Sequence, residues 1–207
     1  MIDAQALLAD LPIVAILRGL TPVHALQVGA AITSAGIRIL EVPLNSPEPL
    51  HSIQILSAAL GTHCLCGAGT VTQAHEVEQV YAAGGRLIVA PNTDAAVIRA
   101  ALSLDMMVLP GIATATEAFT AFNAGATHMK LFPAMTYGSR HLKALLDVLP
   151  KQCRLYPVGG IGAADINEWR QAGAAGFGFG SELFKPTYGI EEIAARAASL
   201  VATYRGA

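Results

Sequence analysis

Charge is scarce in this chain. Only 14% of its 207 residues are Asp, Glu, Lys or Arg, against 53% apolar residues. Such a balance excludes a disordered chain and supplies enough apolar surface for a sizeable core, in one domain or two small ones. The net charge is −2 and the isoelectric point about 6.3. No global basic field is present to recruit nucleic acid or an anionic membrane, so an anionic ligand has to be held by local groups. Cysteine is equally sparse. Cys64, Cys66 and Cys153 are an odd set without a spaced framework, which argues for a reducing compartment. Cys64-Leu-Cys66 puts two thiols on one strand face with no ligand partner at metal spacing, so both read as ordinary buried thiols. The six histidines make neither H-x-H nor H-E-x-x-H spacing, and no metal site is expected. The opening "MIDAQALLADLP" lacks the basic region and long apolar run of a signal peptide. No apolar run approaches the ~20 residues of a spanning helix. A soluble cytoplasmic protein with no membrane and no nucleic-acid partner is expected.

What the chain does have is punctuation. "SAGIRILEV", "AAGGRLIVA", "NAGATHMKLF" and "QAGAAGFGFG" each put Ala-Gly at a helix end, followed by a short apolar run. The glycines are Gly36, Gly84, Gly125 and Gly173, separated by 48, 41 and 48 residues, and Gly61 bisects the first interval. Glycine after a helix supplies a left-handed C′ residue. The unit is a strand plus a helix repeating about every 24 residues, and a chain of this length holds about eight. The strands read as 13–18, 38–43, 64–68, 87–91, 106–110, 128–132, 154–158 and 176–180. Most are continuously apolar, as strands covered on both faces are. Thr21-Pro22 and Ser46-Pro47 read as helix starts, Thr114-Ala-Thr-Glu117 as a capping box, and a last helix is expected over 189–205. Strand–helix alternation predicts a parallel sheet. Eight units fit a small (β/α)8 TIM barrel, one domain over 1–207 with a peripheral ring of helices. An open doubly wound sheet is the alternative, but its first turn is usually Gly-rich and here that turn is "RGLTP".

Catalysis in a barrel sits at the C-terminal ends of the strands. The polar residues there are Arg18, Glu41, Asn45, Thr70, Asn92, Lys130 and the glycine-rich ends "VGGIG" and "FGFGSE". Lys130 is one of four lysines, and in "HMKLF" residues 128, 130 and 132 share a face. At an ordinary pKa roughly one lysine amine in 2,500 is neutral at pH 7, and burial raises that fraction. A neutral buried amine attacks a carbonyl to form a Schiff base. A structural lysine, paired with an acid or snorkelling outward, is the alternative. Glu41, alone in the apolar strand "RILEVPL", brings a carboxylate toward the same pocket. The two read as a nucleophile with its acid/base partner, or as an ion pair kept for structure. Arg18 suits a substrate carboxylate through two parallel hydrogen bonds. The glycines of "GAGT", Gly67 and Gly69, allow close backbone approach, and Thr70 adds a hydroxyl. Gly159, Gly160, Gly180 and Ser181 end the seventh and eighth strands, where barrels commonly hold a phosphate with backbone amides and a helix N-terminus. His128 reads as a core histidine one layer deeper than Lys130.

"AILRG", "LEVPLNSP", "GAGTV", "APN", "PGIATATEA", "KLFPA", "VGGI" and "GFGS" follow one another over essentially the whole chain. In order and spacing they resemble the class I aldolases of 2-keto-3-deoxy-6-phospho sugar acids. Within that family the chain is more similar to the galactonate branch, because the gluconate branch usually has "LEVTLRT" and a threonine before the paired glycines. Here the residues are "LEVPLNS" and Val158, with Asn45 in place of an arginine.

The resemblance implies a homotrimeric barrel that works without metal or other cofactor. It implies Lys130 as the Schiff-base lysine and Glu41 as the acid/base. Arg18, Thr70 and Phe132 would line the pyruvoyl end, while Gly160, Gly180 and Ser181 would meet the phosphate. Val158 would stand beside the carbon whose configuration separates galactonate from gluconate derivatives. The expected reaction cleaves a phosphorylated keto sugar acid to pyruvate and glyceraldehyde 3-phosphate. Three other readings remain open at this point: the same chemistry on the gluconate epimer, a phosphosugar isomerase or epimerase with Glu41 as base, and a non-catalytic phosphosugar-binding module.

Overall fold

A computed structural model describes residues 3–206. The strands are β1 (Ile13–Ile16), β2 (Ile39–Pro43), β3 (Leu65–Gly69), β4 (Leu87–Val89), β5 (Met107–Leu109), β6 (Gly111–Ile112), β7 (His128–Leu131), β8 (Arg154–Pro157) and β9 (Phe177–Phe179). The helices are α1 (Ala4–Asp10), α2 (Pro22–Ser34), α3 (Pro49–Leu60), α4 (Ala74–Ala82), α5 (Ala95–Ser103), α6 (Ala115–Asn123), α7 (Ala134–Tyr137), α8 (Ser139–Val148), α9 (Ile166–Gln171) and α10 (Ile190–Gly206). Every strand pairing is parallel. One sheet runs β5-β4-β3-β2-β1-β9 and a second runs β6-β7-β8. A single bridge, Val158 to Gly178, joins the second sheet to β9. Neighbours follow chain order, without the reversal that defines a doubly wound sheet. Among the described residues no helix is long and apolar enough to cross a membrane.

The strands are buried on both faces, and their alternation sorts the core into two clusters. Leu40 and Val42 of β2 join the large cluster beneath the helices, with Cys66 and Ala68 of β3. Ile39, Leu65, Leu87, Val89 and Leu109 turn the other way into a smaller interior cluster. Leu7 and Leu8 of α1 pack onto that interior cluster from the N-terminal end of the strands. Burying each contributes about 1.5–3 kcal/mol. The chain order gave no strand before α1, and this helix was not anticipated.

The left-handed C′ residues are where the repeat put them: Gly36, Gly84, Gly125 and Gly173 have φ between 88° and 106°. Gly61 is different. It is a right-handed C-cap with φ −64°, held by its amide on the Ser57 carbonyl at 3.0 Å. The expected helix start at Pro22 and the Thr114/Glu117 capping box are present. The start expected at Ser46-Pro47 is not, because α3 begins at Pro49. Proline disfavours the helical conformation of the residue before it, and Glu48 before Pro49 sits at φ 44°. The strand expected over 106–110 breaks at Pro110, which has no N–H for the ladder. Its carbonyl still accepts the Lys130 amide at 2.8 Å, and the chain then pairs with β7 through β6.

Candidate active site

Each of the two candidate side chains owes its orientation to the two-residue period of its strand. Glu41 lies between Leu40 and Val42, which face the helices, so its carboxyl faces inward. Lys130 lies likewise between Met129 and Leu131. Both end up almost fully covered, Glu41 at 2% exposure and Lys130 at 6%. They line one cleft of about 360 Å³ with Ile16, Arg18, Phe132 and Val158. Gly159, Gly160, Ile161, Gly178, Gly180, Ser181 and Glu182 complete the lining.

The electrostatics of the pair are set by burial. Burial pushes the Glu41 carboxyl up from its ordinary value to about 7, against the opposing pull of Lys130 and then Arg18. Burial likewise lowers the Lys130 amine, with Glu41 opposing and Arg18 assisting. Among the described residues the two make no ion pair within 4.0 Å. Glu41 Oε2 is buried with no hydrogen-bond partner among the described residues. Lys130 Nζ stands 4.6 Å from the centroid of the Phe132 ring. A structural ion pair does not describe this geometry. An amine and a carboxyl face a common space in which either could exchange a proton with a third group.

Arg18 falls two residues beyond β1 rather than inside the expected strand. Leu17 still donates to the Glu41 carbonyl at 2.9 Å, and then Gly19 at φ 85° turns the chain. The Arg18 Nη1 group donates to Asn45 Oδ1 at 2.7 Å. Asn45 itself does not line the cleft. Thr70 and Gly69 also lie outside the lining. Thr70 adopts φ 57°, a strained conformation for a β-branched residue. Gly69 touches the site through Glu41, because a side chain at residue 69 would collide with that carboxyl. Asn92 is a backbone partner, its carbonyl accepting from the Gly111 amide at 3.2 Å.

Gly159 and Gly160 follow each other in the left-handed region, with φ 99° and 76°. A side chain at 159 would press on the Phe132 ring at 3.1 Å, and one at 160 on Met135 at 2.7 Å. The helix beside them opens with a 3-10 turn, Ala163–Asp165, that runs straight into α9, and the leading amide on Gly162 is taken by Asp165 at 2.7 Å. Past Gly180 the chain makes two tight turns, and α10 begins only at Ile190.

One lining residue, Ile16, lies outside the polar residues and glycine-rich ends expected at the site, while Ile161, Gly178 and Glu182 fall within "VGGIG" and "FGFGSE" without having been singled out. Ile16 has the inward parity of Glu41 and could have been found by alternation. Gly178 is needed because a side chain there would meet Val158 at 2.7 Å. Glu182 is an exposed acid on a turn, and nothing in its spacing marks it. His128, expected in the core, is only half-buried: it lies beside Tyr156 with ring centroids 5.8 Å apart and lines a depression with Gln5 and Asp105. Among the described residues no group of three His, Cys, Asp or Glu could hold a metal ion. A second depression of about 390 Å³ is lined by Thr21, His24, Phe184 and Tyr188 among others, and neither Lys130 nor Glu41 reaches it.

Parallel strands carrying a buried amine and a buried carboxyl into one cleft are the arrangement of an aldolase, a lyase of carbon–carbon bonds. The KDPG and KHG aldolase profile matches residues 4–195, and the chain belongs to that family. The 2-dehydro-3-deoxy-6-phosphogalactonate aldolase of Escherichia coli K12 is 44% identical, over 95% of this chain and 96% of its own. A solved structure of native KDPGal superposes with a TM-score of 0.94 at 44% identity, covering 95% of this chain and 96% of that one. The 2-keto-3-deoxy-6-phosphogluconate aldolase of Zymomonas mobilis ATCC 29191 reaches a TM-score of 0.87 at 27% identity, covering 97% of each chain.

Proposed function

We propose that this chain is a class I aldolase that reversibly cleaves 2-dehydro-3-deoxy-6-phosphogalactonate to pyruvate and D-glyceraldehyde 3-phosphate. The single observation that carries the reading is the cleft shared by Lys130 and Glu41, each displaced by burial toward its neutral form. Lys130 attacks the C2 ketone, and loss of water leaves a protonated imine. That cation withdraws electrons from the C3–C4 bond. Glu41, directly or through a water, takes the C4 hydroxyl proton. The bond breaks, the aldehyde leaves, and an enamine remains on Lys130. Protonation at C3 and hydrolysis release pyruvate and restore the amine. Arg18 holds the carboxylate and Phe132 walls the pyruvoyl end, with Thr70 beyond it. Gly159, Gly160, Gly180 and Ser181 meet the phosphate, whose binding fixes the breaking bond between the two reacting groups.

The galactonate assignment draws support from the higher identity to the galactonate relative, 44% against 27% for the gluconate one. Val158, on the cleft wall at 5% exposure, offers no hydrogen bond to a C4 hydroxyl, so shape would discriminate.

The fold is read as one domain, a closed (β/α)8 barrel. Only Pro110 separates β5 from β6, so the two count as one strand shared by both sheets. The Val158–Gly178 bridge supports closure at the other seam. A homotrimer in the cytoplasm is proposed, supported by apolar side chains left open on α2, Val23 at 84% and Leu26 at 50% exposure.

Borohydride reduction in the presence of pyruvate should add the mass of the reduced adduct to the peptide carrying Lys130. An unmodified Lys130, or full activity in Lys130→Ala, sinks the proposal.

A further inference from the structure

We infer that Asn45 is a positioning residue, which with Ser46 locks Arg18 in place so that its guanidinium meets the substrate's anionic group already oriented. The inference rests on the aldolase reading above and gives Asn45 a role through Arg18 instead of a contact with substrate.

Two adjacent residues of the β2–α3 loop grip two adjacent residues at the end of β1. Asn45 Oδ1 accepts from Arg18 Nη1 at 2.7 Å, and Ser46 Oγ accepts from the Gly19 amide at 3.0 Å. Ser46 is a buried serine, 8% exposed, so its hydroxyl is committed to this contact and not to solvent. Gly19 cannot move outward freely either. It turns at φ 85°, and Pro186 Cγ lies 2.8 Å from where a Cβ would be. The corner is thus fixed from two sides.

Without such a lock Arg18 would be a long, exposed side chain with many rotamers, and binding an anion would carry the full entropy of ordering it. With the lock that ordering is completed during folding, which is preorganisation. The acceptor is a neutral amide. It fixes the guanidinium without cancelling its charge, and among the described residues Arg18 has no ion pair. That charge reaches both reacting groups, since it lowers Glu41 and Lys130 alike. Arg18 lines the same cleft as Lys130 and Glu41, so an anion bound there would share that cleft with the reacting carbonyl, as the carboxylate of a 2-keto acid does. Asn45 is exposed and absent from the cleft lining, which leaves Arg18 as its route to the substrate.

The test is the pyruvate concentration that half-saturates borohydride trapping on Lys130. Asn45→Ala should raise it about tenfold and Ser46→Ala about threefold, the scale of misplacing one binding group. Trapping with pyruvamide, which lacks the carboxylate, should not change in either variant. Asn45→Ala made on top of Arg18→Ala should add nothing. If pyruvate trapping is unmoved but the KM of the phosphorylated substrate rises and that of its dephosphorylated form does not, Arg18 holds the phosphate and the lock stands. An equal effect with pyruvamide, a full effect in the Arg18→Ala background, or no effect on any of these substrates overturns the inference. A wild-type chain that yields no adduct overturns the aldolase reading and this inference with it.

Discussion

Gly69 is what makes room for the Glu41 carboxyl. The two residues sit on neighbouring strands, with β2 and β3 paired in parallel so that Glu41 lies opposite Gly67 and Pro43 opposite Gly69. A Cβ at residue 69 would occupy the space of both carboxylate oxygens. The glycine therefore serves the acid as a vacancy serves a neighbour, by having no side chain at the one place the carboxyl can go.

Gly69→Ala should lose about 10²-fold in kcat for cleavage, because the carboxyl must move by an ångström or more from its place opposite the amine. Schiff-base formation should suffer less, since Lys130 is on another strand. Single-turnover cleavage and pyruvate trapping measured on the same folded sample separate the two steps. Equal losses in both would mean that the substitution disturbs the whole cleft.

The acid limb of the pH profile should report Glu41. In the proposed mechanism cleavage needs the carboxylate, and burial raises its pKa to about 7. In the free enzyme kcat/KM should fall as pH drops through about 7, not through the ordinary carboxylate range. A limb near 4.5 would mean that Glu41 is solvated in solution or is not the base. The Lys130 amine, lowered by burial, should bring the neutral nucleophile within reach on the same rising side.

Alternation made the chemistry legible. One acid in "RILEVPL" and one lysine in "HMKLF" could be assigned to the interior face without coordinates, because the residues on either side of each are apolar and need the helices. The glycine rhythm gave the strand–helix order for the same reason, a left-handed C′ residue at four helix ends. What remained illegible was long-range or particular to one residue. Ser46 reads locally as a cap, yet its hydroxyl is claimed by Gly19, 27 positions away. Pro110 breaks a strand whose apolar run is unbroken. Glu182 reaches the cleft from a turn that has no period at all.

Val158→Thr should move the preference between C4 epimers. The side chain lies on the cleft wall, and the substitution replaces a methyl by a hydroxyl at nearly constant volume. A hydroxyl offered to one configuration at C4 is worth about tenfold in relative kcat/KM toward the gluconate epimer. Wild-type protein should prefer the galactonate epimer. A wild type that prefers the gluconate epimer refutes the branch assignment before any variant is made.

The three thiols should be silent in the folded protein. Cys64, Cys66 and Cys153 are all free and buried. Burial raises each above the ordinary thiol value, Cys66 to about 12, which disfavours the reactive thiolate at all three. A disulfide reagent should label none of them natively and all three in denaturant. Fast labelling of the native protein would mean that β3 opens locally, because Cys66 lies within that strand.

Glu41→Gln should make the protein more stable as it abolishes cleavage. The carboxyl has a folded pKa of about 7 against an unfolded value of 4.5. Between those values the folded chain holds a proton that the unfolded chain has released. Stability therefore falls as pH rises from about 4.5 to about 7, and the full penalty is present above that. At pH 8 the penalty is about 3 kcal/mol. A neutral amide of the same shape removes it, so Tm should rise by about 6–12 °C at pH 8, at matched protein concentration. At pH 5 the wild-type carboxyl is protonated in the fold and only partly protonated in the unfolded chain, so the gain should shrink to about 1 kcal/mol. Thermal unfolding of both proteins across pH 5–8 checks this, and a gain that is the same at both ends would mean that Glu41 carries no buried-charge penalty.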